Sequence, residues 1–237
     1  MSEVWVTLTK AQAGPPPWVV LLAALAAFGV VTWSTSWHLS RGLITMAHEG
    51  GHALMALLTR RKLQGIRLHS DTSGVTLTRG RPTGPGMILT AAAGYVTPSL
   101  LGLGGAWLTA SGYVTILITL LVGLLFCMLL VIRNLFGVVS LLATGGAISA
   151  FTWYSAPGMD AVLAYLAVWF LLFGGVRPIL ELRRKRRRGH TPDSDADQLA
   201  RLTFLPAGFW VLLFLLVAAG SLACGAYLLS PLSPGSG

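Results

Sequence analysis

The chain is built from apolar runs about as long as a bilayer is thick, and this limits its fold more than any other feature. Seven such runs occupy residues 18–37, 42–59, 86–110, 113–132, 135–153, 160–176 and 206–229. A helix rises 1.5 Å per residue, so about 20 apolar residues cross the hydrocarbon core. Of the 237 residues, 54% are hydrophobic and 11% charged, with a mean hydropathy of +0.71. A soluble domain is not built this way. The expectation is an all-α polytopic membrane protein of about seven transmembrane helices, forming one membrane domain over 18–230. A polar segment, 1–17, precedes it and ends in Pro15-Pro16-Pro17. The tail 231–237 reads as flexible. Neither the charge pattern nor a small-residue cleavage site marks the start as a removable signal peptide.

Net charge is +9, from 17 Lys and Arg against 8 Asp and Glu. The basic residues fall mostly between the apolar runs, which speaks for membrane topology and against nucleic acid as a partner. With seven spans, a cytosolic N-terminus puts Lys10, Arg60 to Lys62, Arg67, Arg79, Arg81, Arg133, Arg177, the basic run 183–188 and Arg201 on the cytosolic side, and Arg41 alone outside. The run 183–188 can also touch anionic lipid head groups. Trp33 and Trp37 read as an interfacial belt, with His38 solvated beside them. Cys127 and Cys224 lie in apolar runs, and no disulfide framework or cysteine metal site is expected.

Within the second run lies His48-Glu49-Gly50-Gly51-His52. Two histidines four apart share one helix face and can hold one Zn²⁺, and Glu49 beside them can take a proton from the attacking water. Three ionisable groups in a membrane segment mark a functional site. Gly50 and Gly51 let a neighbouring backbone approach or leave room for a substrate.

After Arg60-Arg61-Lys62 the period changes from 3.6 to 2. Ile66 and Leu68 alternate with Arg67 and His69, and Val75 and Leu77 with Thr76 and Thr78, around the turn Ser70 to Gly74. This predicts a β-hairpin over 63–79, whose free edge suits an extended peptide. A catalytic zinc usually takes three protein ligands. No acidic residue occurs between Asp71 and Asp160. The candidates for the third ligand are His69, Asp71, Asp193, Asp195 and Asp197, with Asp160 at the wrong end. A short helix can start at Asp195 to Leu199, where aspartates also serve as caps.

The stretch from His48 to Gly80 resembles the site-2-protease clan of intramembrane metalloproteases, family M50, and within it the M50B-like group of bacteria. Members carry the two-histidine motif in a membrane helix followed by a membrane-associated β-hairpin. Ser194-Asp195-Ala196, with Leu199 and Thr203 before the last run, is similar to the M50B-like pattern. Two elements differ. Asn134-Leu135-Phe136-Gly137 resembles the clan's Asn-x-x-Pro, but no aspartate follows near Leu141-Leu142, and Gly94 to Pro98 stands where the clan has Gly-Pro-x-x-Asn. The resemblance therefore implies Zn²⁺ held by His48, His52 and Asp195, with Asp197 or Asp71 as alternatives, Glu49 as general base and Asn134 on the substrate backbone. It implies a zinc endopeptidase cutting membrane-protein segments in the bacterial cytoplasmic membrane. A non-proteolytic scaffold or regulator of the same fold, and a transporter, are the other two readings.

Overall fold

The computed structural model describes residues 10–156, 158–189 and 193–230. The expectations for residues 1–9 and for the tail 231–237 fall outside the described residues. Among these, the chain forms eight helices and one two-stranded sheet. They are α1 (Pro17–Thr32), α2 (Ser34–Leu58), β1 (Lys62–Leu68), β2 (Gly74–Arg79), α3 (Pro85–Ala110), α4 (Val114–Val131), α5 (Leu135–Tyr154), α6 (Met159–Arg187), α7 (Asp195–Leu202) and α8 (Ala207–Leu228).

Five helices, α3, α4, α5, α6 and α8, are long and apolar enough to cross a membrane, and the count reaches six if α1 and α2 are one bent span. The first two expected spans are therefore drawn differently. The break falls at Trp33, and the helices on either side of it make an angle of 99°. The β-branched run Val30-Val31-Thr32 favours helix less than the leucines before it. At the break, the Ser36 hydroxyl donates to the Val30 carbonyl at 2.9 Å and satisfies an acceptor that the interrupted helix leaves open. Trp37 fills the bend with Val31, Ile44 and Leu171 and is 1% exposed, so it belongs to the core and not to an interfacial belt. Trp33 is exposed, as expected.

The Gln12 amide donates to Gly112 at the C-terminal end of α3, and Thr59 packs on Gly86 at its N-terminal end. Together α1 and α2 thus lead from one end of α3 to the other. Residues 12–17 line one cavity with Leu228, Leu229 and Ser230. The first and last described stretches consequently share one end of the bundle, whereas seven spans would have separated them. The opposite end carries the hairpin, the α4–α5 link, the C-terminal turns of α6, and α7.

Helix α6 runs eleven residues past its expected end, through most of the basic run that was expected to be loop. Arginine and lysine are good helix formers, and in a last turn their charge is favourable to the helix dipole.

Helices α3 and α6 form the centre, and small residues let them touch. A Cβ on Gly105 would come to 2.8 Å from Val168, and Gly175 abuts Ser99. Leu172, fully buried, sits against Gly102, Gly225 and Ala106 of α3 and α8. Lipid is as apolar as leucine, so such interfaces are held by close packing more than by hydrophobic transfer. Outward faces are leucine and phenylalanine, as at Leu21, Leu25, Leu124, Phe126, Leu212 and Leu216. The protein is an integral membrane protein.

The hairpin pairs Lys62 with Arg79, Ile66 with Thr76 and Leu68 with Gly74. A bulge between Leu63 and Gly65 interrupts it, and Gly65 has φ 144°, with Val131 O so close that a side chain has no room. On β2 the threonines turn inward, and Val75 and Leu77 are the exposed pair. The outer edge of β1 is not free. Arg133 N donates to Ile66 O at 2.8 Å, and both ends of the Asn134 amide bond to Leu68, Nδ2 to its carbonyl at 2.6 Å and Oδ1 from its N–H at 3.1 Å.

Truncating Leu172 to alanine should cost about 2–3 kcal/mol of stability, because the cavity forms where three helices meet. The same change at lipid-facing Leu216 should be close to neutral. Unfolding of both variants in one detergent system measures the difference.

Candidate metal centre

Helix α2 carries His48 and His52 one turn apart on the face that meets α3. That face is usable because α3 presents Gly94: a Cβ there would lie 2.6 Å from His48 Nε2 and would also collide with His52. Gly51 makes the same kind of contact with Thr97 and Ala93 O, while Gly50 faces open space. The close approach expected of the glycine pair is therefore made at Gly51. Tyr95 closes one side, its ring edge-on to His48 at 4.8 Å and stacked on Phe214.

Asp195 arrives on α7. Its Oδ2 lies 3.2 Å from His48 Nε2 and 3.3 Å from His52 Nε2, and the two nitrogens are 3.1 Å apart. Tetrahedral zinc with ligands at about 2.0–2.1 Å spaces its donors about 3.3 Å apart. The triangle of donors has that size. Its chemistry fits too. His52 Nδ1 lies 2.7 Å from the Thr90 carbonyl, which requires a proton on Nδ1 and leaves Nε2 as a lone pair. Asp195 Oδ2 is buried, and among the described residues no hydrogen-bond donor reaches it. Lone pairs converging on one point call for a cation, and two imidazoles with one carboxylate are a zinc donor set.

The short helix is built to deliver this carboxylate. Ser194 and Asp197 form a capping box: the Ser194 side chain accepts from Asp197 N, and the Asp197 carboxylate accepts from Ser194 N and Oγ. Asp197 also pairs with Arg186 on the last turns of α6. Burial raises the Asp197 pKa, and Ser194 and Arg186 more than reverse this. Ala196 and Leu199, both fully buried, root α7 against Ile179, Leu182 and Trp210. Of the two aspartates, Asp197 closes the cap and Asp195 reaches the two imidazoles.

Glu49 is 5% exposed and points at the hairpin. Its Oε2 accepts from Thr76 Oγ1 at 2.6 Å, and Gly74 lies so close that any side chain there would strike the carboxylate. The hairpin next in sequence to the motif is therefore packed directly on its glutamate. The remaining candidates are elsewhere. Asp71 is fully exposed in a turn, its pKa lowered by hydrogen bonds from Ser73, and His69 contacts the same serine. Among the described residues, the grouping able to hold a metal is His48, His52 and Asp195. Thr76, Gly94, Tyr95 and Arg186 were not anticipated. Of their roles, only the capping half had a readable signal, in Ser194-x-x-Asp197.

No curated protein and no solved structure matches the chain significantly. The sequence model of one family, described as peptidase M50B-like, matches residues 21–225. That interval contains the metal-capable triad, Glu49, the hairpin and α7, and the chain belongs to the peptidase M50B-like family.

Proposed function

We propose that the protein is a zinc-dependent endopeptidase that cuts membrane-protein segments inside the bilayer. The observation that carries this reading is the convergence of His48 Nε2, His52 Nε2 and Asp195 Oδ2 at 3.1–3.3 Å beside Glu49. Bound there, Zn²⁺ supplies Lewis acidity toward the scissile carbonyl and the water. The Glu49 carboxylate takes the water's proton and passes it to the leaving nitrogen. Thr76 holds that carboxylate by one oxygen and leaves the other for the proton. A membrane helix hides its own carbonyls, so the substrate must be locally extended. With Arg133 and Asn134 closing β1, the outer edge of β2 is the strand edge that remains for it. Asn134 on this reading fixes the hairpin and touches no substrate.

The membrane is the bacterial cytoplasmic one, with the basic end of the bundle facing the cytosol and Arg183 to Arg188 near anionic head groups. Because the first and last described stretches share the other end of the bundle, this orientation puts both of them outside, where the seven-span scheme had a cytosolic start.

In a background without the two native cysteines, a cysteine at Gln12 and one at Ser230 should label from the outside of sealed cells, and one at Arg81 only after permeabilisation. Gln12 and Arg81 labelling from one side would overturn this orientation. Purified protein should carry about one zinc per chain. His48→Ala and Asp195→Ala should lose it. Asp197→Ala should bind it about tenfold or more weakly, because the helix bearing the ligand loosens. Retention in Asp195→Ala would remove that ligand from the site. Glu49→Gln should keep zinc and lose cleavage of a membrane-spanning reporter peptide. Zinc without cleavage in the parent would instead assign a non-proteolytic member of the family.

A further inference from the structure

Two turns before His48, α2 carries a second charged group. Arg41 Nη2 lies 3.9 Å from Glu181 Oε2, and Arg177 Nε lies 3.0 Å from Glu181 Oε1, both guanidiniums flanking the buried Trp37 ring at 6.0 and 4.8 Å. Among the described residues, Glu181 is the acidic group within ion-pair distance of either arginine, so two cations share one anion. All three side chains keep about a quarter of their surface exposed. The cluster is therefore a partly open site with net positive charge. Trp37, whose Nε1 is buried with no partner, forms its floor.

Its place relative to the metal centre is set by helix geometry. Seven residues turn a helix through about 700°, so Arg41 and His48 share a face about 10.5 Å apart along the axis. Thr45 stands between them, its hydroxyl donating to Thr72 O in the hairpin turn at 2.7 Å. Arg41, Thr45, His48 and His52 thus form one polar stripe along the helix. The hairpin flanks the stripe, with its turn at Thr45 and Gly74 and Thr76 at Glu49. A strand lying along β2 passes Glu49 at Gly74 and Thr76, and beyond the turn, at Thr45, its continuation runs toward Arg41. An extended peptide covers about 10 Å in three residues.

We propose that Arg41 and Arg177 form a carboxylate-binding subsite, which selects substrates with an acidic side chain or a chain-terminal carboxylate about three residues from the cut bond. This rests on the peptidase reading above. Glu181 keeps the arginines in place between substrates and yields them to an incoming carboxylate, a charge-assisted pairing with a planar fork. A lipid phosphate is the rival anion. The basic end already offers lipids Arg183 to Arg188, whereas this cluster lies on the catalytic stripe.

The test uses the full chain in nanodiscs with membrane-spanning reporter peptides that carry Glu, Gln or Lys two to four residues on either side of the cut. At one position the Glu peptide should be cleaved with a kcat/KM about tenfold above the Gln peptide, mainly through KM. Arg41→Gln and Arg177→Gln should each remove the preference while still cutting the Gln peptide. Glu181→Gln should sharpen it, and Arg41→Glu should transfer it to the Lys peptide. A clamp that merely ties α2 to α6 would lower all peptides alike in every variant, and that result overturns the proposal. So does equal cleavage of Glu and Gln peptides at every position. A dependence on anionic lipid content that is the same for all peptides assigns the cluster to lipid and overturns it too. Absence of cleavage with every peptide in the parent would instead count against the peptidase reading.

Discussion

Three lone-pair donors brought within 3.3 Å of one another inside an apolar bundle are the constraint around which this protein is arranged. Without a cation, two imidazole nitrogens and a carboxylate oxygen with no donor would be costly to bury. With one, they are three ligands of a site whose fourth position is open. The demand reaches outward through the neighbouring elements. Helix α3 must be glycine at position 94 to come close enough, and the Thr90 carbonyl must face His52 to fix its tautomer. Helix α7 must be capped and pinned to α6 for Asp195 to point inward. Each supporting contact comes from a different segment, so the site is intact only when the bundle is.

Much of this was legible in the sequence, and what was not has a physical cause. The two histidines and Glu49 were readable because i, i+4 spacing in an apolar run is a local signal. The hairpin was readable because its period is also local. The bend at Trp33 was not. Residues 18–37 have span-like hydropathy, and hydropathy is blind to whether a helix continues or turns. Taking the bend for a gap between two spans gives the odd span count, and with it the separation of the first and last described stretches. Trp37 was misplaced for the same reason: a tryptophan near a presumed helix end reads as interfacial, but the bend carries it into the core. Thr76 of β2 turns inward opposite buried Ile66 and donates to the Glu49 carboxylate, a partner that alternation does not reveal.

The place of Asn134 was legible in the sequence, and its hydrogen-bond partners were not. It sits, as expected, at the polar break between two spans. Its amide, however, pairs with both main-chain groups of Leu68, as a neighbouring strand would. That closure has two effects. It satisfies a sheet edge that cannot be left bare near hydrocarbon. It also fixes the register of β2 against Glu49 through the antiparallel pairing of Ile66 with Thr76.

The missing aspartate near Leu141-Leu142 has a structural counterpart in the same region. Leu141, where that aspartate would fall, is buried in a cluster with Met46, Ala53, Ile66 and Leu68. On α2, Met46 precedes His48 by two residues, or about 200° of helix rotation, so this cluster occupies the face turned away from the imidazoles. A carboxylate on α5 would point into packed hydrocarbon side chains and away from the metal-capable triad. With α5 placed there, the third donor has to come from a segment that approaches the histidine face of α2. Helix α7 does so from the basic end of the bundle. Because it is short, its position depends on caps and an ion pair rather than on length. The buried Ala196 and Leu199 hold α7 on the bundle, and the Arg186–Asp197 contact and the Ser194 cap fix the start of the helix from which Asp195 points at the imidazoles.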